Sequence, residues 1–144
     1  MKNNSQIHQT HQKDTNIKNT VDIFVYGTLK VGGYFADYFD GIRKKSVQAK
    51  VKGTLFRIVY GWFPGLILGG ESEVTGELHT YSNAKEVLQV MDEIEGVREK
   101  LFKREIALVK LDTGEVREAV VYTFNQSTQG SEAVESGVWD IEED

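Results

Sequence analysis

The sequence predicts an α+β domain. Its sheet is small, mixed and twisted into a barrel-like form of about five to six strands, with one main α-helix and one short helix. Three observations predict this. Runs of strand length, either alternating or densely apolar, recur between Val21 and Phe124 and are separated by glycine-rich turns. Only the stretch from about Asn83 to Ile94 carries helical apolar spacing over several turns. Strands and helices do not alternate as a parallel βαβ series requires, so the strand edges are best satisfied by partial closure of the sheet around its own core.

Residues 1–20, MKNNSQIHQTHQKDTNIKNT, are rich in Asn, Gln, Lys and Thr, with Ile7 and Ile17 the only aliphatics. Such a segment buries too little apolar surface to offset its chain entropy and is expected to be a disordered polar tail. The folded domain is expected over 21–144. VDIFVYG, from Val21 to Gly27, is a dense apolar run ended by glycine and reads as a central strand. GTLKVGG reads as a loop, and YFADYFD, with Phe35, Tyr38 and Phe39 at helical spacing, as the short helix.

SVQAKVKGTLFRIVY reads as a long strand with Val47, Ala49 and Val51 on one face and a bend or bulge at Gly53. GWFPGLILGG, which holds the only proline, Pro64, reads as an apolar loop, and EVTGELHTY as the next strand. The helix starts with Asn83 and Glu86 in capping-box spacing. Its stripe is Val87, Val90, Met91 and Ile94, with Leu88 at the edge, and Gly96 is placed to end it in a left-handed conformation. FKREIALVKL, the turn DTGE and VREAVVYTF then make a hairpin. From about residue 126 the chain is polar and acidic, and is expected to be a flexible end with Trp139 its only large apolar residue.

Charge and composition narrow the function classes. A net charge of −5 repels phosphate backbones, and the basic residues Arg43, Lys44, Lys45, Lys50 and Lys52 read as a solvated strand edge, so no nucleic-acid partner is expected. With no cysteine there is no disulfide, thiolate metal site or cysteine nucleophile. Two of the three histidines, His8 and His11, lie in the tail, which leaves too few for a multi-histidine metal site in the domain. No apolar run reaches the roughly 20 residues of a membrane-spanning helix, and the first residues lack a signal-peptide core. A cytoplasmic protein with no membrane partner is expected.

Three features could carry chemistry. The helix bears Glu86, Asp92, Glu93 and Glu95. At roughly 100° per residue, Glu95 falls about 70° from the centre of the apolar stripe, whereas Asp92 and Glu93 fall about 130° away, on the solvent side. Glu95 also sits at the helix C-terminus, where the macrodipole disfavours negative charge. Partial burial there would raise its pKa and suit it to proton transfer near neutral pH. By position alone the commoner reading is an exposed carboxylate at a frayed helix end. The second feature is YGTLK, Tyr26 to Lys30, where a glycine after a buried strand can turn the backbone so that successive amides face an anion; a plain strand-end turn is the alternative. The third is the aromatic set Tyr26, Phe56, Phe63, Phe102 and Tyr122, which could line a pocket or simply fill the core.

In order and spacing these pieces resemble the γ-glutamylcyclotransferase-like family, which includes AIG2-like proteins and γ-glutamylamine cyclotransferase. The resemblance covers about Ile23 to Trp139 and rests on FVYGTLK, GTLFRIVYGWFPGL, GEL at Gly76, MDEIEG at Met91 to Gly96, VVYTF and SGVW. It implies the γ-glutamylcyclotransferase-like fold and cofactor-independent cyclisation of a γ-glutamyl group to 5-oxoproline with release of an amine. It also implies Glu95 as general acid and base, and a substrate site of Tyr26, Gly27, Thr28, Leu29, Lys30, Phe102 and Tyr122, with no metal. The expected partner is a small γ-glutamyl compound or acidic metabolite. Two departures stand out. The family's Tyr-x-Arg is here Phe102-Lys103-Arg104, and VREKL is charged where the family often has a proline. The lost tyrosine hydroxyl keeps a second reading open, in which the same pocket binds or senses an acidic metabolite without turnover. A third reading makes the acidic end, Glu132 to Asp144, an interaction segment.

Overall fold

The computed structural model describes residues 19–27, 30, 39 and 41–140. Of the tail expected to be disordered over 1–20, residues 1–18 lie outside these residues, while Thr20 already lies in the first strand; the expected short helix within Tyr34 to Asp40 also lies outside them, Phe39 apart. The elements are β1 (Thr20–Val25), β2 (Arg43–Ile58), β3 (Phe63–Ser82), α1 (Ala84–Ile94), β4 (Phe102–Leu111), β5 (Val116–Phe124) and β6 (Glu132–Ala133). The hydrogen-bonded order is β3-β1-β5-β4-β2-β6, and a further β2–β3 pairing closes the first five strands into a barrel. β1 and β5 run parallel, while the other strand pairs are antiparallel. The α+β, barrel-like architecture is as the sequence predicts.

β1 shows why the barrel has two apolar layers. It is paired on both edges, by β3 and β5, and has the barrel interior on one face and α1 on the other, so Ile23, Phe24 and Val25 are all buried. Side chains alternate along a strand. Phe24 therefore joins Leu55, Leu78, Val109 and Val121 in the barrel interior. Ile23 and Val25 point the other way and pack with Val87 and Met91 of α1. The helix stripe read from the sequence thus seals the outer face of β1.

Three expectations are corrected. GWFPGLILGG is not a loop: from Phe63 it is the first part of the 20-residue strand β3, which pairs with β2 from Ile58↔Phe63 onward. Pro64 is the second residue of that strand, where β2 is its only partner and a missing N–H is tolerated. The register jumps from Lys52↔Glu73 to Gly53↔Leu68, so residues 69–72 bulge out at the expected bend at Gly53. Next, Asn83 makes no side-chain cap; it sits in the left-handed region (φ 58°), and the Ala84 N–H is taken instead by the carbonyl of Asn19. Finally, the acidic end is tied down as far as residue 140. β6 pairs with β2, the Thr75 N–H donates to the Gly137 carbonyl, and Trp139 is 2% exposed under the Arg57 guanidinium, 4.6 Å from its ring. Burial of one indole outweighs the polar character of its neighbours.

Candidate functional site

A cavity of about 260 Å³ opens where the end of β1, the starts of β3 and β4, and the C-terminal end of α1 converge. β1 contributes Phe24 and Val25, and the chain just beyond it Tyr26 and Gly27. Phe63 and Pro64 come from β3, Ile94 and Glu95 from the helix end, Leu101 and Phe102 from the entry to β4, and Tyr122 from β5. Gly27 packs so closely on Pro64 that a Cβ there would lie 2.7 Å from the proline ring, so this corner tolerates little but glycine.

The helix end that presents Glu95 is built by Gly96. The Gly96 N–H donates to the Glu93 carbonyl and the Val97 N–H to the Asp92 carbonyl, the paired bonds of a Schellman motif, with Gly96 at φ 68°. Glu95 is the C-cap, still in helical conformation, and its own N–H bonds to the Met91 carbonyl. Its side chain is thereby fixed at the half-buried boundary between the apolar stripe and the cavity. Among the described residues, no hydrogen bond or ion pair engages its carboxylate. Loss of hydration pushes its pKa up from the ordinary 4.5 to about 7.

Two tyrosines complete the polar part of the wall. Burial, and then the nearby Glu95 charge, raise the Tyr26 phenol well above its usual value, so it stays protonated and donates to the Tyr122 carbonyl at 2.5 Å. The Tyr122 hydroxyl donates to Asp92 at 2.7 Å, and Arg104 lies 3.4 Å from the same carboxylate. Burial is the main cause of the raised Tyr122 phenol, followed by its bond to Asp92. Arg104, Asp92, Tyr122 and Tyr26 therefore form one chain of contacts that braces two walls of the cavity.

The structure brings together Glu95, Tyr26, Gly27, Phe102 and Tyr122 from the residues expected in a site. Thr28 and Leu29 lie outside the described residues. Lys30 is not a lining residue: it is buried, and its ammonium donates to the Trp139 carbonyl at 2.7 Å, tying the loop after β1 to the C-terminal segment. Of the aromatic set, Phe56 packs against the outer core and does not line the cavity. Sequence reasoning missed Asp92 as a contributor, having assigned it to solvent. The available signal was the three-residue spacing to Glu95, which puts both on neighbouring turns, together with Arg104 across from them. No group of three or more His, Cys, Asp or Glu residues suited to a metal ion occurs among the described residues. No helix among them is long and apolar enough to cross a membrane.

The sequence profile of the family described as gamma-glutamyl cyclotransferase, AIG2-like, matches residues 23–141. Among solved structures, YkqA from Bacillus subtilis is similar with a TM-score of 0.65 and 22% identity, over 83% of this chain. The match spans only 39% of the length of that protein. An AIG2-like protein from Mus musculus is similar with a TM-score of 0.61 and 22% identity, over 76% of this chain and 79% of that one. A protein described as gamma-glutamyl cyclotransferase is similar with a TM-score of 0.56 and 16% identity, over 79% of this chain and 69% of that one. At these identities the likeness is one of fold. Among curated protein sequences none matches significantly.

Proposed function

The chain belongs to the gamma-glutamyl cyclotransferase, AIG2-like family, and on that premise we propose that it cyclises the γ-glutamyl group of a small amide to 5-oxoproline, with Glu95 as general acid and base. The observation that carries this reading is the Glu95 carboxylate at the cavity wall, without a hydrogen-bond or ion-pair partner among the described residues and with its pKa raised to about 7. A carboxylate of that kind is half ionised near neutral pH and both takes and returns a proton readily.

In the proposed reaction the substrate's own α-amine attacks its γ-carbonyl carbon. The new C–N bond closes the lactam ring, and the bond from that carbon to the leaving nitrogen breaks. The proton lost by the α-amine passes to Glu95 and from there to the leaving nitrogen, which departs as a neutral amine. The protein supplies no nucleophile. It holds the glutamyl chain curled so that the two reacting atoms meet, which removes most of the entropic barrier to ring closure. The turn after β1, in which the Lys30 N–H closes on the Gly27 carbonyl, is the element we assign to the glutamyl carboxylate. Tyr26 and Tyr122, fixed by their own hydrogen bonds, form the wall against which the chain curls.

The test is formation of 5-oxoproline from a panel of γ-glutamyl amides by wild type and Glu95→Gln. Turnover by wild type that falls by about 10²–10⁴ in the variant is expected. Because the ionised form is the base, kcat/KM should rise with pH through about 7. Equal rates for the two proteins across the panel would overturn the assignment. Thermal stabilisation by the amides with no product formed would favour binding without turnover instead.

A further inference from the structure

Resting on the cyclisation reading, we infer that Lys30 is a positioning residue for the glutamyl carboxylate. It acts through the bond from its ammonium to the Trp139 carbonyl, which makes residues 137–139 part of the machinery of the substrate site.

The chain buries a lysine at the end of the turn after β1. Lys30 is 8% exposed, and an ammonium in such a place is tolerated only when it is hydrogen-bonded. It donates to the Trp139 carbonyl at 2.7 Å, 109 residues away in the sequence. The backbone N–H of the same residue closes the turn on the Gly27 carbonyl at 3.0 Å. One residue thus closes the turn with its main chain and fastens it with its side chain.

The two ends of the turn are held by different elements. At its start Gly27 lies against Pro64 of β3, where a Cβ would come within 2.7 Å of the ring. At its end Lys30 reaches the C-terminal segment. That anchor is itself fixed: the Trp139 indole packs in the barrel interior, in one cluster with Phe24 and Tyr26, under the Arg57 guanidinium. Just before it, Val138 bridges to Thr75, whose N–H donates to the Gly137 carbonyl at 2.8 Å. Gly137 has φ 72° and lies against the Glu73 carbonyl with no room for a Cβ.

Backbone amides hold an anion well only when they are aimed at it beforehand, because a loose turn must first lose its freedom. Glycine adds that freedom at the start of the turn. The Lys30–Trp139 bond removes it at the other end. Lys30 does not line the cavity, so its effect passes through the turn. The carboxylate is bound alike in the ground state and the transition state, so the effect belongs in KM rather than kcat.

Lys30→Met keeps the length of the side chain and removes the donor. Two ligands read the result by NMR titration: 5-oxoproline, and 2-pyrrolidinone, which is the same ring without the carboxylate. Wild type should bind 5-oxoproline at least about tenfold more tightly than 2-pyrrolidinone. Lys30→Met should bind 5-oxoproline about tenfold more weakly than wild type does and 2-pyrrolidinone equally well. In turnover, KM for a γ-glutamyl amide should rise about tenfold with kcat within about threefold. The corresponding 4-aminobutyryl amide, which closes to 2-pyrrolidinone, should be unaffected. Lys30→Arg, which keeps a donor, should restore part of the preference. Gly137→Ala displaces the anchor from outside the cavity and should show the same carboxylate-specific loss, with the double variant no worse than Lys30→Met. A wild-type preference that persists in Lys30→Met overturns the inference alone, and so does an equal loss for both ligands, which marks general loosening. If wild type shows no preference, the turn does not hold the carboxylate, and both that assignment and this inference fall. Absence of turnover overturns the cyclisation reading and leaves the two ligands to decide the role of Lys30. Should Lys30→Met fail to fold, Gly137→Ala decides with the same pair, selective loss upholding the inference and a kept preference overturning it.

Discussion

Asp92 and Glu95 stand three residues apart at the same end of α1, and the protein treats them in opposite ways. Asp92 accepts the Tyr122 hydroxyl and lies beside Arg104, so its charge is answered on two sides. Glu95 faces the cavity with no partner among the described residues, at the helix end where the backbone dipole adds to its cost. One carboxylate holds walls together, and the other holds a proton near neutral pH. Two groups of identical chemistry acquire separate roles because one has partners and the other has only burial.

The largest effect that could break this contrast is on turnover. Glu95→Gln should lower kcat by about 10²–10⁴, whereas Asp92→Asn, which acts through Tyr122 and Arg104 and does not itself line the cavity, should cost on the order of tenfold or less. Equal losses in 5-oxoproline formation would mean that the two carboxylates share one role.

Stability should rank the variants the other way. The folded chain binds the Glu95 proton more tightly than the unfolded chain, since the pKa rises from 4.5 to about 7 on folding. The resulting stability is fully present below about pH 4.5 and is lost as pH rises through 7. Glu95→Gln removes the ionisation, so it should match wild type at pH 4 and exceed it at pH 8 by about 1–3 kcal/mol. Asp92→Ala leaves the Tyr122 hydroxyl without its acceptor and should cost about 1–3 kcal/mol. Urea denaturation at the two pH values reads both. A Glu95→Gln variant no more stable than wild type at pH 8 would mean that Glu95 is hydrated.

Much of this arrangement was legible in the sequence because it is local. The apolar stripe Val87 to Ile94, the glycine after it and the position of Glu95 on the helix surface all follow from 3.6-residue periodicity. The bend at Gly53 and the β4–β5 hairpin were equally local. What failed depended on partners distant in the chain. Pro64, Gly69 and Gly70 are breakers by local rule, yet β2 holds Phe63–Ser82 as one strand that bulges around the glycines. Asp92 lies on the polar side of an isolated helix and becomes useful only because Tyr122 and Arg104 arrive from β5 and β4. Lys30 sits in the candidate loop by sequence, and its ammonium is drawn 109 residues away to Trp139. That indole likewise holds an end that composition marked as flexible.

The smallest effect bears on how the two carboxylates are kept apart. Gly96 closes the helix at φ 68°, and a Cβ there would also lie 3.2 Å from the Leu101 Cβ. Gly96→Ala should therefore cost about 1–2 kcal/mol for the left-handed backbone alone, and Gly96→Asn less, because asparagine tolerates that region. The Schellman bonds join the Asp92 and Glu93 carbonyls to residues beyond Glu95, so loosening them shifts the C-cap more than the preceding turn. Gly96→Ala should thus lower kcat more than it weakens the Tyr122–Asp92 contact, with Gly96→Asn intermediate in both thermal stability and rate. If alanine lowered stability without touching the rate, the placement of Glu95 would depend on the packing of Met91 and Ile94 rather than on the helix end.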